Sequence, residues 1–290
     1  MISPEDFFGL EKQPQILLIC VYVADQVASQ VKEAGYTGRV VIFSTLLFLD
    51  TKKRWEFYGE NMGAIEEVYG MLADDRSRET VAGFLNSIRS GEVGYLEEIN
   101  GDSRIKTLDP AILNYTENEV FADVGAFTGD TILEFLELTD GKYKRIIGFE
   151  LDRQNYEILR QTTHGMENVH IKNVAVGAVP GKIRFTSGRS ESSALSEQGD
   201  SETDMIVLDN VSEMQDVTFI KISVCGLELS VLQGAEKLLR KNAPKVAAYA
   251  GGELLWKMPK YLKSIVPEYK LYFRHYGQGQ QGMVCYAVRE

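Results

Sequence analysis

Cysteine, tryptophan, histidine and proline are all scarce in this 290-residue chain, at three, two, three and seven residues. The cysteines (Cys20, Cys225 and Cys285) are odd in number and scattered, which excludes a disulfide framework and the paired spacing of a zinc site, so no metal is expected. Long hydrophobic runs are missing as well. The longest near the start, Ile16–Val23, has eight residues, where a membrane span needs about 20. It lacks a basic lead-in and a small-residue cleavage site, so the chain reads as cytoplasmic and without a secretory leader. Basic residues are in deficit, 31 Lys and Arg against 42 Asp and Glu, for a net charge of −11. That balance argues against nucleic acid as the main partner, because phosphate binding is driven by Lys and Arg. What is present, 44% hydrophobic and 25% charged residues, is an ordinary globular composition of a length that allows one large domain or two.

The first fifty residues read as strand, helix, strand: Gln15–Cys20, Ala24–Ala34 and Arg39–Phe43. The turn after the first strand, Cys20-Val21-Tyr22-Val23, holds no glycine, so its backbone is not shaped to approach a pyrophosphate. This βαβ unit (1–50) is expected to be a docking module and a candidate homodimer surface. Lys52–Ile99 contains no proline and carries apolar stripes at helical spacing, so 51–107 is expected to be a helical connector packed on the C-terminal domain, its charges on a solvated face. From Leu108 strands and helices alternate. Strands are expected at Glu119–Val124, Arg145–Glu150, Val169–Val176, Lys182–Phe185, Thr218–Ser223 and Lys245–Tyr249, with helices at Asp130–Leu138, Gln154–Gln161, Leu227–Lys241 and Leu255–Ile265. This order predicts an α/β fold for 108–290, a mostly parallel sheet with helices on both faces. Tyr269–Tyr276 and Met283–Val288, joined by the Gly277–Gly282 turn, predict an antiparallel hairpin at its edge. The serine-rich stretch Thr186–Thr203 has no periodicity and is expected to be a loop. Residues 191–216 hold eight acidic groups and no basic one, whereas 217–290 are net basic by six. The acidic stretch is either a solvated loop or a lid closing against the basic C-terminal segment through Glu197, Asp200, Glu202 and Asp204, which would disfavour anionic substrates.

The strongest local signal is Val120-Phe121-Ala122-Asp123-Val124-Gly125-Ala126-Phe127-Thr128-Gly129-Asp130. A buried strand delivers Asp123 to its end, and a turn between Gly125 and Gly129 opens a helix against whose N-terminus a ligand can lie. The dinucleotide fingerprint G-x-G-x-x-G does not fit, since Phe127 stands at its second glycine, and this spacing disfavours a nicotinamide-dependent oxidoreductase. Acid-x-Gly-x-x-x-Gly resembles the first motif of class I S-adenosylmethionine-dependent methyltransferases. Glu150, in Gly148-Phe149-Glu150-Leu151-Asp152, ends the next strand 27 residues after Asp123. A carboxylate there can accept both ribose hydroxyls of a nucleoside in charge-assisted hydrogen bonds.

Five stretches in order, EVFADVGAFTGDT, YKRIIGFELDRQNYEIL, NVHIKNVAVG, FIKISVCGLELSVLQGAEKLLRKNAPKVA and LWKMPKYLKSIVPEYKLYFRHY, resemble the FkbM-type methyltransferases over roughly 114–288. The resemblance implies a Rossmann-like class I methyltransferase fold, S-adenosylmethionine as cofactor, and O-methylation of a hydroxyl on a sugar or other small metabolite. It assigns the cofactor to Asp123, Gly125, Ala126, Phe127, Gly129, Asp130, Thr131, Glu150, Leu151, Asn173 and Ala175. Where the family pattern reads Lys-x-Asp-x-Glu-Gly-x-Glu, this chain has Lys221-Ile222-Ser223-Val224-Cys225-Gly226-Leu227-Glu228, and Ala250-Gly251-Gly252 where members often place a His. Two carboxylates and an imidazole are replaced, which removes the obvious general base.

Three residues remain as candidates for chemistry. Ser223 can orient a hydroxyl. Lys221 shares its face and is expected to pair with Glu228 or Asp123, or to touch substrate. His275 has a pKa range suited to a base. Cys225 reads as packing, His164 and His170 as surface, Asp209 as a turn or pocket residue, and Trp256 as a helix-face anchor. The alternative to an active enzyme is a family member that binds the cofactor and serves as a partner protein.

Overall fold

Strands built of β-branched and aromatic residues, buried on both faces, form the middle of the molecule. The computed structural model describes residues 9, 14–19, 24–42, 51–92, 94–101, 105, 107–186, 199, 201–277 and 282–289. Seven strands make the main sheet: β3 (Val120–Val124), β4 (Arg145–Phe149), β5 (Val169–Lys172), β9 (Phe219–Ile222), β10 (Lys245–Tyr249), β11 (Lys270–His275) and β12 (Met283–Val288). Their spatial order is β11-β12-β10-β9-β3-β4-β5. β10, β9, β3, β4 and β5 run parallel, and β12 is antiparallel to both β10 and β11. The expected parallel sheet with a C-terminal hairpin at its edge is therefore present. The alternation of side chains splits the core in two. Val120, Ala122, Val124, Ile220 and Ile222 enter one apolar cluster, and Phe121, Phe219 and Ala247 the other. In the second, the Phe121 and Phe219 rings stack at 4.8 Å between centroids.

The N-terminal unit is β1 (Ile16–Ile19), α1 (Ala24–Glu33) and β2 (Arg39–Ile42), with the two strands parallel in a sheet of their own. Its turn at Cys20–Val23 lies outside the described residues. The connector resolves into α2 (Thr51–Glu60), α3 (Met62–Met71), α4 (Asp75–Ser90) and α5 (Gly94–Ile99). Tyr58, Ile65, Val68, Val81, Phe84 and Ile88 from these helices join the first core cluster. α4 is seated on β11: Asp74 caps it by accepting from Ser77 N–H at 2.8 Å and pairs with Arg274 at 2.7 Å. Ion pairs Lys32–Glu97 and Arg39–Glu92 join the N-terminal unit to α5 and the segment before it. α6 (Pro110–Leu113), α7 (Asp130–Leu138) and α8 (Arg153–Thr162) cover the other face, while α9 (Glu228–Gln233), α10 (Glu236–Asn242) and α11 (Leu254–Ile265) add to the first. Among the described residues no helix is long and apolar enough to cross a membrane.

Three expectations are corrected. Val169–Val176 is not one strand: after β5 the chain leaves the main sheet and Ala175–Val176 (β6) joins β7 (Gly181–Phe185) and β8 (Ser201–Ile206) in a second sheet of order β6-β8-β7. The break falls at Asn173, whose side-chain amide donates to the carbonyls of Glu150 and Leu151 at 2.8 and 3.1 Å. Residues 201–203 are strand, not loop, because opposite charges lie across the β7–β8 ladder: Lys182 faces Asp204 and Arg184 faces Glu202. Glu202 is bound to Lys182 at 2.9 Å, and so is engaged within its own sheet instead of forming part of a lid. Residues 187–198 and 200 of the serine-rich stretch, among them Glu197 and Asp200, lie outside the described residues, as do 278–281 of the hairpin turn. Finally, Leu227–Lys241 is two helices, broken where a Cβ on Gly234 would stand 2.1 Å from the Gly177 carbonyl oxygen.

Candidate functional site

Parallel strands β3, β4, β9 and β10 end at one edge of the sheet, and a cavity of about 240 Å³ opens there, in the crevice where open α/β sheets take ligands. Its floor is set by one buried ion pair. Asp123, on β3, is wholly out of solvent and meets Lys221 of adjacent β9 at 2.9 Å; the same ammonium donates to the Gly125 carbonyl at 3.0 Å. Lys221 thus has Asp123 as its partner, not Glu228, and it lines the cavity while Asp123 does not. Burial pushes the Asp123 carboxyl upward and the Lys221 charge opposes it.

The turn after β3 is held by its neighbours. Gly125 has φ +79°, and a Cβ there would lie 2.0 Å from the Ser223 carbonyl oxygen, so glycine is required by the approach of the β9 loop. A Cβ on Gly129 (φ +91°) would press on Leu159 and Thr162 of α8. Phe127 takes a left-handed φ of +48°, which aims its N–H at Glu150 Oε2, 2.9 Å away. Glu150 Oε1 accepts from the Asp152 N–H at 2.8 Å. Burial raises the Glu150 carboxyl, and these two donors work the other way. Of the residues read as cofactor ligands, Gly125, Phe127, Asp130, Thr131, Glu150, Leu151 and Ala175 line the cavity; Ala126 and Gly129 are buried behind it, and Asn173 acts from outside by fixing the Glu150–Leu151 backbone. Phe149, Val174 and Val176 add apolar wall.

On the opposite side the loop after β9 is folded around Glu228, whose two oxygens accept the Val224 and Gly226 N–H groups at 3.1 and 2.9 Å. Ser223 and Cys225 both line the cavity. Cys225 is exposed and therefore not a packing residue, and partial desolvation together with the charges of Glu228 and Glu150 pushes its thiol upward. His275 is not brought to this cavity. β11 is separated from β10 by β12, and the imidazole is fully buried, with Nε2 against Gly282. Asp209 has a cap role: its oxygens accept the Lys237 and Leu238 N–H groups of α10 at 3.0 Å each. Trp256 packs on Phe57 and Tyr58, and His164 and His170 are exposed.

Beyond the apolar wall, Tyr249, Asn155, Thr107 and Leu227 line the cavity and were not read as site residues. Tyr249 ends β10, one position beyond the Ala248–Ile222 register pair, hence beside Ser223, and that shared edge was a usable signal. Asn155, three residues after the Asp152 cap of α8, also had a local signal. Leu227 lies within the Lys221–Glu228 pattern, whereas Thr107 carried no signal, because its place depends on packing over a long sequence distance.

A family model for the FkbM methyltransferase domain matches residues 123–278, more than half of the chain. Among solved structures, the crystal structure of Methyltransferase FkbM from Methylobacillus flagellatus KT is similar at a TM-score of 0.75 and 21% identity, over 94% of this chain and 73% of that one. A precorrin-6y C5,15-methyltransferase from Geobacter metallireducens GS-15 gives 0.42 at 14% identity, over 67% of this chain and 92% of that one. Fibrillarin from Aeropyrum pernix, solved with natively bound S-adenosyl-L-methionine, gives 0.40 at 14%, over 63% and 73%. Among curated proteins none matches the sequence. The fold is the α/β class I methyltransferase-like one, and the chain belongs to the FkbM methyltransferase family.

Proposed function

We propose that this chain is an S-adenosylmethionine-dependent O-methyltransferase acting on a hydroxyl of a sugar or other small metabolite. The observation that carries the reading is Glu150: a buried carboxylate at the end of β4, lining the cavity and tied to the turn after β3 through Phe127. The donor set fits the cofactor. Glu150 offers acceptors to a ribose diol, Leu151, Val174, Ala175 and Val176 offer apolar wall for a purine, and the turn at Gly125–Phe127, bonded to Glu150, completes the lining. The cofactor supplies an electrophilic methyl group on a sulfonium. The chain's own task is to align the acceptor oxygen, and positioning of this kind accounts for up to about 7–11 kcal/mol of a barrier. Ser223, just after β9, and Tyr249, at the end of the adjacent β10, are the residues to hold that oxygen by hydrogen bonding. Lys221 fixes the turn through Asp123 and the Gly125 carbonyl.

A second reading, a family member that binds cofactor without turnover, is favoured by one observation: Ser223 and Cys225 line the cavity where the family pattern has carboxylates. One assay separates the two. The protein is incubated with S-adenosylmethionine and a panel of sugars and polyols, and S-adenosylhomocysteine is quantified. Turnover that falls by up to about 100-fold in Ser223→Ala or Tyr249→Phe supports the first reading. Cofactor binding with no turnover on any acceptor supports the second, and absence of binding rejects both.

A further inference from the structure

The connector supplies one wall residue of the cavity, Thr107, and its place follows from the segment after it. Asp109 accepts from the Tyr276 hydroxyl at 2.8 Å, just after the end of β11. The Asn114 carbonyl accepts from the Lys245 ammonium at 3.3 Å, at the start of β10. Between these two anchors α6 packs on β12. Residues 109–114 therefore cross the sheet beside β10 and β12, starting from the edge where the parallel strands end. Thr107 stands two residues before Asp109, a chain length of at most about 7 Å. Along that edge the strand order places Glu150 after β4, Gly125 after β3, Ser223 after β9 and Tyr249 on β10, with Thr107 arriving from the β12 side. It is thus at the opposite end of the row from the proposed ribose contact.

With the ribose at Glu150 and the rest of the cofactor on the turn after β3, the molecule that reaches Thr107 is the acceptor. Thr107 is 2% exposed, and its hydroxyl has no hydrogen-bond partner among the described residues. A buried hydroxyl left without a partner is costly, and a polar atom of a bound molecule removes that cost. A threonine hydroxyl is uncharged and both donates and accepts, so the group it suits is another hydroxyl. Ser223 and Tyr249, nearer the cofactor, are the residues read as holding the oxygen that is methylated. We infer that Thr107 binds a second hydroxyl of the acceptor, one that is not methylated, so that the site selects polyols over lone alcohols. The inference rests on the transferase reading, which supplies the acceptor, and makes the connector part of the specificity of the site.

The test uses the full chain with glucose, galactose, mannose, xylose and myo-inositol, the monodeoxy analogues of each, and cyclohexanol as a lone alcohol. Release of S-adenosylhomocysteine gives kcat and KM, and S-adenosylhomocysteine affinity is titrated in parallel. The methylated position is located by NMR of the product, and only analogues that keep it are compared. The wild type should prefer the parent acceptor over one such analogue by about tenfold or more in kcat/KM, and should use cyclohexanol no better than that analogue. In Thr107→Val the preference should disappear, because KM rises for the parent and not for the analogue. Thr107→Ser should keep most of it, and S-adenosylhomocysteine affinity should be the same in all three proteins. An undiminished preference in Thr107→Val, or cyclohexanol used as well as the parent, overturns the inference. Weaker S-adenosylhomocysteine binding in Thr107→Val also overturns it, by placing the hydroxyl on the cofactor. S-adenosylhomocysteine binding in the wild type with no turnover of any acceptor, or no binding at all, rejects the transferase reading instead and removes this inference with it.

Discussion

Asp123 and Lys221, 98 positions apart, meet at 2.9 Å between adjacent strands with the carboxylate wholly out of solvent. The pair does more than neutralise itself. Through its second bond, to the Gly125 carbonyl, Lys221 sets the start of the turn on which the proposed cofactor site depends. Asp123 Oδ2 is buried with no hydrogen-bond partner among the described residues, so the ammonium is what makes the buried charge tolerable.

Removing that ammonium should therefore be costly. Lys221→Met leaves an uncompensated buried carboxylate and should destabilise the chain by about 3–5 kcal/mol, whereas Asp123→Asn/Lys221→Met should recover more than half of the loss. Urea unfolding of the wild type and both variants checks this. Equal losses in the single and double variants would contradict it.

Gly125 and Gly141 have nearly the same backbone, φ +79° and +71°, and different surroundings. Gly141→Ala meets nothing within 4 Å and should cost only the left-handed strain, about 1 kcal/mol. Gly125→Ala places its Cβ against the Ser223 carbonyl and should cost about 3 kcal/mol or more, with loss of S-adenosylhomocysteine binding. The comparison is read by thermal unfolding and by titration.

The α4–β11 seam makes a prediction in pH. Burial raises the Asp74 carboxyl, but hydrogen bonds from Arg274 and Ser77 and the Arg274 charge outweigh it and hold the group at about 2, from an ordinary 3.8. A depressed carboxyl contributes stability that is complete above its unfolded value and is lost as pH falls toward the folded one. The Asp74 contribution should thus be present above about pH 4 and vanish between pH 4 and pH 2. Asp74→Ala should lose about 0.5–2 kcal/mol at pH 7 and show a smaller difference from the wild type at pH 2. Unfolding curves across that range decide it.

The site was legible in the sequence where its chemistry is local. Gly125, Phe127 and Asp130 from the turn after β3, and Glu150 at the end of the following strand, all line the crevice. The boundaries Asp130–Leu138, Lys245–Tyr249 and Met283–Val288 are as the periodicity predicts. Local pattern is silent about side chains that turn the backbone: Asn173 ends β5 by binding carbonyls twenty-odd residues earlier. It is also silent about polar strands, since β8 is recognisable only once its acids are seen opposite Lys182 and Arg184. His275 shares the sheet edge with Ser223, yet the insertion of β12 between β11 and β10 sets it apart, and spatial order is not written in strand sequence. Thr107 reaches the cavity from the connector through packing over a long sequence distance.

The central claim is that the crevice at Glu150 holds S-adenosylmethionine, and calorimetric titration of S-adenosylhomocysteine into the wild type and Glu150→Ala tests it most directly. The wild type should bind one molecule per chain. The variant should bind about tenfold or more weakly, because hydrogen bonds to a charged acceptor contribute roughly 1.5–3 kcal/mol. No heat of binding in the wild type, or equal affinity in the two proteins, would contradict the account.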